Sequence, residues 1–563
     1  MNALILIIAI LCLNQALHAL PSYNKAKNPI GRRHMVSSQD PLASKTGMDI
    51  LHQGGNAIDA AIAVAYSLAV THPQAGNLGG GGFMLIYIKK ENKVYALDYR
   101  EKAPKAAWKD MFIGENGEVS KTLSQDSLWA TGVPGTVAGL DFAWKTFGTL
   151  PLQTCLAPAI TLAKEGFPVS RQLHNHLDIA KDDFLQRNNG SLAFYPNNQT
   201  IATGSILVQP ELAQSIQWIA NDGPKAFYQG PIAAKLIDFM QKNRGLITRE
   251  DLLQYRPKFR EPVSANYRGY HIYSMPPPSS GGIHLIQLLK MVEGFPINDW
   301  GYQHPKTLQL FAEAMSLVYQ DRATYLGDPD FVSIPQRQLL SPSRIKQQQQ
   351  QLQQILSQTK RPHPRPAPPN IPLYESNDTT HFSIIDSDGN MVSNTYTLNF
   401  RFGNKIMIPG TGILLNNEMD DFSAKPGAAN AYGLIGSHAN AIAPEKRMLS
   451  SMTPTLVFKD NQPWLATGSP GGSRIITIVF QTLINLIDYN MNLIEASTVP
   501  RMHYQWQPDT LYLEKDFDPQ TKKNLTDKGY LLKPNPKIGS IQSVLRIEDV
   551  TIGVSDPRTS TSN

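Results

Sequence analysis

Apolar and polar positions change rhythm several times along the 563 residues, and each rhythm predicts a different element. Residues 4–13 are apolar without a break. Residues 56–70 are alanine-rich and apolar on nearly every face, which predicts a helix buried all round and packed closely. The run Gly79-Gly80-Gly81-Gly82 feeds an apolar strand, and a second strand at 94–99 completes a hairpin. No Gly-Lys-Ser/Thr follows the glycines, so close backbone packing explains them better than a phosphate loop. Helical periodicity dominates 132–242 and 282–323, broken by turns such as Met275-Pro276-Pro277-Pro278-Ser279-Ser280-Gly281-Gly282. Strand signals return at 392–398, 413–415, 454–458 and 464–467, and an apolar helix covers 475–489. Helices outside and strands inside, in two blocks, predict one layered α/β body rather than several domains.

Between the blocks, residues 341–370 are rich in glutamine and proline and predict a mobile or extended tether without a core, or an interdomain linker. The chain then enters Asn377-Asp378-Thr379-Thr380-His381-Phe382-Ser383. Alternation starts at Thr380, with Phe382 and Ile384 on one face and His381, Ser383 and Asp386 on the other, before the turn Asp386-Ser387-Asp388-Gly389-Asn390. A tether joined to a buried strand through Asp-Thr-Thr suits a self-cleaving N-terminal-nucleophile enzyme. A mid-chain threonine has no base of its own. Cutting the bond before Thr379 frees an α-amine, with a pKa of about 7.7–8.0, that can take the hydroxyl proton. The competing reading is a plain strand that begins with threonines.

Composition narrows the field. A net charge of +6 is too dilute for a nucleic-acid surface. The ten-residue apolar run at 4–13 is too short for a stable membrane anchor, and Leu17-His18-Ala19 offers a small residue at a cut, so residues 1–19 read as a secretory signal, although the segment before the run has no Lys or Arg. No later segment is apolar and long enough to span a bilayer. Cys12 leaves with that signal and Cys155 then stands alone in a buried-helix context, so no internal disulfide forms. The thirteen histidines are scattered without metal-ligand spacing.

Nine motifs, in order, resemble the γ-glutamyltranspeptidase family of N-terminal-nucleophile hydrolases. Upstream they are residues 77–83, Asp98-Tyr99-Arg100-Glu101-Lys102-Ala103-Pro104 and Pro277-Pro278-Ser279-Ser280-Gly281-Gly282. Downstream come Thr379-Thr380-His381, Thr395-Tyr396-Thr397-Leu398-Asn399, residues 412–422, Leu449-Ser450-Ser451-Met452-Thr453-Pro454, Gly468-Ser469-Pro470-Gly471-Gly472-Ser473-Arg474 and Ser555-Asp556-Pro557-Arg558. The resemblance spans essentially the whole mature chain. It implies a four-layer αββα sandwich built jointly from two chains of one cleaved precursor, residues 20–378 (with a Gln/Pro-rich tail at about 341–373) and 379–563.

A γ-glutamyl group ends in a zwitterion, so its site must pair a carboxylate with a cation and an ammonium with anions. Arg100 offers a planar fork for the carboxylate, as the family's arginine does at this point, against the competing reading of a strand-end arginine on a surface acid. In the family, hydroxyls matching Ser450 and Ser451 assist; alone the pair would be an ordinary turn. Glu418 and Asp421 can converge on one ammonium, or be solvated helix-cap acids. Asn399 resembles the residue that bonds the substrate's amino end. Gly471 and Gly472 can present successive N–H groups to an oxyanion, or form a plain glycine turn. Thr397, on the strand paired with that of Thr379, can hold the nucleophilic oxygen in line. Residues 430–434 around Tyr432 resemble a lid loop. Together these imply an exported γ-glutamyltransferase and glutathione hydrolase, periplasmic or extracellular, that cuts between Asp378 and Thr379 and passes the glutamyl group to water, amino acids or peptides without metal or organic cofactor. The alternatives are a β-lactam side-chain acylase or polyglutamate-processing enzyme with the same reactive centre, and an uncleaved exported binding protein.

Overall fold

The computed structural model describes residues 30–31, 33–189, 192–361 and 378–559. The predicted signal segment, with Cys12, and residues 362–377 of the predicted tether lie outside the described residues.

Two antiparallel sheets form the centre. The first has six strands in the order Met35–Ser38, Thr379–Ile385, Met391–Thr397, Gly81–Ile88, Lys93–Asp98, Lys258–Arg260. The second has seven, in the order Ile30–Gly31, Val550–Ser555, Gln542–Ile547, Gln462–Gly468, Thr455–Lys459, Tyr270–Ser274, Val263–Tyr267. Strand Thr379–Ile385 is therefore an interior strand, flanked by one strand from before the tether and one from after it. Neither half of the chain completes either of these two sheets alone.

All seven residues of Thr379–Ile385 are buried, and its two faces differ in chemistry. Phe382 and Ile384 join the core of the helix Ala57–Thr71, every residue of which is buried as its all-apolar pattern predicts. Ser383 and Ser393 face the second sheet and donate from Oγ to the carbonyls of Gln542 (3.0 Å) and Thr467 (2.9 Å). Helices Gly281–Val292, Pro305–Tyr325 and Ile475–Ile487 cover the far side of the second sheet. Helix, sheet, sheet and helix give the expected αββα order. Cys155 is buried in the helix Leu152–Glu165, as expected.

The glycine run behaves as the packing reading requires. A Cβ on Gly80 would lie 2.0 Å from the carbonyl oxygen of Thr397, so only glycine lets the hairpin close against the end of that strand.

Part of the predicted tether is structured. Pro342–Ser357 is a helix, capped by the Ser341 side chain on the Arg344 N–H, and it buries Ile345, Gln348 and Leu352. These positions are spaced three and four apart, and glutamine is a good helix former, so a narrow apolar stripe was present beneath a polar composition. Arg361 is also pinned: its guanidinium meets Glu313 at 2.9 Å and Asp509 at 2.6 Å. Two further strand pairs went unpredicted, although Val263–Tyr267 alternates apolar and polar residues throughout: the hairpin Val263–Tyr267/Tyr270–Ser274 and the pair Gln542–Ile547/Val550–Ser555.

Candidate active site

Register puts Thr379 directly opposite Thr397, with their hydroxyl oxygens 3.4 Å apart. Thr397 Oγ1 also accepts from the Asn399 N–H at 2.9 Å. Asn399 has a left-handed backbone (φ +75°), which turns the chain out of the strand and aims its side chain back across the site. Its Nδ2 donates to the Asn417 carbonyl at 3.0 Å. Asp378, the residue before Thr379, pairs with Arg401 at 3.1 Å. The nearby imidazole of His381 is spent on Thr395 Oγ1 (2.7 Å) and Ser383 Oγ (3.0 Å), and burial pulls it down to about 3, so it is neutral. It leaves Thr379 without a histidine base.

The other end of the site is ionic. Arg100 follows the strand Lys93–Asp98 and is fully buried, which removes the surface-acid reading. Its Nη1 meets Glu418, its Nη2 meets Asp421 at 2.5 Å, and Glu101 stands 3.7 Å away. Glu418 and Asp421 thus do converge on one cation, and in this structure it is Arg100. Burial alone would lower the guanidinium, but Glu418, Asp421 and Glu101 outweigh it and hold Arg100 above the ordinary arginine range. Burial pushes Glu418 well above the carboxylate range and Glu101 up to about 7, with Arg100 opposing both. Three acids around one base cannot all be ionised comfortably. Polar atoms are also left over. Glu418 Oε2 and Ser451 Oγ are buried with no hydrogen-bond partner among the described residues. Each such group costs about 1–3 kcal/mol unless something satisfies it.

Both ends open into one cavity of about 330 Å³, lined by Thr379, Thr397, Asn399, Arg100, Glu418, Asp421, Ser450, Ser451, Tyr432 and Gly472. Ser450 and Ser451 are held there by the turn at 276–281, through Ser450 N–H to the Pro278 carbonyl (2.8 Å) and Ser280 N–H to the Ser450 carbonyl (2.9 Å). Gly471 and Gly472 have φ of +140° and +56°, conformations that side chains disfavour, and they enter the helix Ile475–Ile487. Neither N–H donates to another group of the described residues. Gly472 lines the cavity and Gly471 sits one residue behind it.

Tyr432 covers this floor. Its hydroxyl donates to Asn399 Oδ1 (2.9 Å) and to the Asn399 carbonyl (3.1 Å), and a Cβ on Gly472 would fall 2.9 Å from its ring. A larger hollow of about 450 Å³ lies beyond Leu434 and Asp421, outside this cover and without Thr379. Every residue chosen from the sequence thus falls at the cavity or next to it. Sequence reasoning passed over Asn416 and Asn417, which brace the acid loop. Asn416 Oδ1 accepts from the Glu418 N–H (3.0 Å), and Asn417 Oδ1 accepts from the Phe400 N–H (3.1 Å). It also passed over Arg322, a buried cavity-lining arginine on the helix Pro305–Tyr325. The Asn-Asn pair in front of Glu418 was a usable signal; nothing near Arg322 in the sequence pointed to a site. Among the described residues, no group of His, Cys, Asp and Glu could hold a metal ion.

The sequence model described as Gamma-glutamyltranspeptidase matches residues 43–563. A glutathione hydrolase proenzyme of Escherichia coli (strain K12) is 49% identical over 529 residues, 94% of this chain and 90% of the relative. One from Pseudomonas aeruginosa is 44% identical over 537 residues, 93% of each. Among solved structures, a cephalosporin acylase from Bacillus halodurans superimposes with a TM-score of 0.83 at 28% identity, over 96% of this chain and 97% of that one. The γ-glutamyltranspeptidase of Helicobacter pylori, 42% identical, gives 0.55 over 58% of this chain and 92% of its own.

Proposed function

Because the chain belongs to the γ-glutamyltranspeptidase family, we propose that it is a proenzyme that cuts itself before Thr379 and then acts as a γ-glutamyltransferase and glutathione hydrolase. One observation carries this reading. A single cavity joins a threonine hydroxyl at one end to a cation, two acids and a spare serine hydroxyl at the other, which is the complement of a γ-glutamyl zwitterion.

In maturation, Thr379 Oγ attacks the Asp378 carbonyl carbon. The peptide C–N bond breaks, an ester forms and the Thr379 amine is freed; water then hydrolyses the ester. In turnover that amine takes the hydroxyl proton as Oγ attacks the γ-carbonyl carbon of the donor. Thr397 holds Oγ in line, and the Gly471 and Gly472 N–H groups receive the developing oxyanion. The leaving amine departs with the proton, and a γ-glutamyl ester remains on Thr379. Water or the amine of an amino acid or short peptide attacks that ester and releases glutamate or a new γ-glutamyl amide. Arg100, Ser450 and Ser451 hold the α-carboxylate, while Glu418, Asp421 and Asn399 hold the α-amine. Hydroxyl, amine and N–H donors cover every step, so no cofactor is called on.

The mature protein is a heterodimer of residues 20–378 and 379–563, exported by the segment 1–19 and periplasmic. Among the described residues no helix is long and apolar enough to cross a membrane. Mass spectrometry with N-terminal sequencing and a γ-glutamyl anilide assay tests the reading. The expected result is two chains, the smaller beginning at Thr379, and release of the anilide. Any other first residue removes Thr379 as the nucleophile.

A further inference from the structure

Most buried guanidiniums among the described residues meet carboxylates. Arg361 has Asp509 at 2.6 Å, Arg447 has Asp98 at 3.3 Å, Arg501 has Asp556 at 2.6 Å, and Arg558 has Glu514 at 2.6 Å. Arg322 does not. It is 5% exposed, in the last turn of the helix Pro305–Tyr325, and among the described residues its guanidinium makes one hydrogen bond, from Nε to Ser280 Oγ at 3.1 Å. No carboxylate of the described residues lies within ion-pair distance of it, and its side chain lines the cavity that holds Thr379, Ser450 and Ser451. A buried cation without an anion is costly, and the cost is relieved if an anion enters.

The charges of the cleft say which anion. Around Arg100 stand Glu418, Asp421 and, at 3.7 Å, Glu101, so the acids outnumber the base, and Arg322 is a second cation in the same cleft. A γ-glutamyl zwitterion then enters without burying net charge. Its ammonium takes the two acids, and its carboxylate faces two guanidiniums and the unpartnered Ser451 Oγ. We propose that Arg322 is a second carboxylate-binding guanidinium of this cleft and, with Arg100, restricts donors to those with a free α-carboxylate. Burial pulls Arg322 down to about 10, against the pull of Asp421, so it is still charged at neutral pH. The inference rests on the γ-glutamyl reading of the site.

The test compares γ-glutamyl anilide with the same compound carrying an α-carboxamide in place of the α-carboxylate, under single-turnover conditions. Wild type, Arg322→Met and Arg322→Lys are first checked for cleavage into two chains. For Arg322→Met, kcat/KM on the carboxylate donor should fall about 10- to 100-fold, the scale of one lost charge-assisted hydrogen bond. On the carboxamide donor it should change less than about threefold. Arg322→Lys should fall between on the first donor, since it keeps the charge and loses the fork. Equal losses on both donors would make Arg322 a brace for Ser280 and Ser450, and overturn the proposal. So would failure of both variants to cleave, which would assign Arg322 to folding. Wild type that cuts both donors equally would instead sink the γ-glutamyl reading itself.

Discussion

The two ends of the cavity solve opposite problems. At the Thr379 end the groups facing the hydroxyl are neutral: Thr379 and Thr397 hydroxyls face each other at 3.4 Å, His381 is uncharged and turned away, and the charge of Asp378 is matched by Arg401. At the Arg100 end two acids grip one buried arginine, with a third close by. The contrast follows from what each end must do. On the proposed mechanism the Thr379 end needs a base that appears only after cleavage, so a standing charge facing the hydroxyl would be either idle or competing with the α-amine. On the same proposal the Arg100 end must distinguish a zwitterion from any other amide, which fixed opposite charges can do. Chemistry is thereby separated from selectivity, and variants should fail differently at the two ends.

The largest effect should come from the neutral end. Thr379→Ala removes the hydroxyl proposed both to cut the chain and to attack the donor. It should remain one band on a denaturing gel and show only background anilide release. Two bands from this variant would place the cleaving nucleophile elsewhere. At the ionic end the failure should be partial. Arg100→Lys keeps a charge but cannot reach two partners, so kcat/KM should fall by a factor corresponding to about 1.5–3 kcal/mol while cleavage persists. Unchanged kinetics would move the carboxylate site away from Arg100.

The two ends were also unequally legible. Thr379 and Thr397 sit in an alternating strand pair, and period two fixes both their register and their common face. Glu418 and Asp421 could be placed together by spacing, but their meeting with Arg100 joins positions more than three hundred apart in the chain, and no local pattern encodes that. Arg322 was invisible for the same reason, since a lone arginine in the last turn of a helix reads as solvated. The helix Pro342–Ser357 shows the opposite error. Its glutamines suggested disorder, while Ile345 and Leu352, seven apart, supplied the buried stripe. Composition hid a period. The two strands Gln542–Ile547 and Val550–Ser555 owe their place to pairing with a sheet assembled from distant segments.

A smaller, pH-linked effect should appear beside the ionic end. Asp420 is buried, with Oδ1 accepting from Ser124 Oγ (2.7 Å) and Gln125 Nε2 (3.3 Å), and Oδ2 has no partner among the described residues. Burial raises it from 3.8 to about 7. A carboxyl whose folded pKa is raised stabilises the fold fully below its unfolded pKa and loses that contribution as pH rises through the folded value. Wild type should therefore lose stability between about pH 4 and pH 7 on account of this group. Asp420→Asn imitates the protonated form and should not. The Tm difference between variant and wild type should shift in favour of the variant across that window and level off above it. A constant difference would mean that Asp420 is ionised throughout.

The smallest effect should come from the cover that joins the two ends. Tyr432 is fixed by its hydroxyl on Asn399 and by its ring, which meets Phe400 edge-on at 5.6 Å and lies over Gly472. Tyr432→Phe deletes the hydroxyl and keeps the ring contacts. Neutral hydrogen bonds contribute about 0.5–1.5 kcal/mol each, so kcat/KM for short γ-glutamyl amides should fall by about 2- to 12-fold. Because the hydroxyl orients Asn399 rather than Thr379, Arg100→Lys and Tyr432→Phe should both leave cleavage intact. Deleting residues 427–433 goes further and removes the ring as well. Donor width should then increase, so that long polyglutamate chains are cut alongside short amides. The measurement is the ratio of the two donor rates in wild type, Tyr432→Phe and the deletion. It should hold nearly constant in the first two and shift toward the polymer only in the third. A wild type that already cut long polymer efficiently would show that the cover does not limit donor size, and would favour a polyglutamate-processing role.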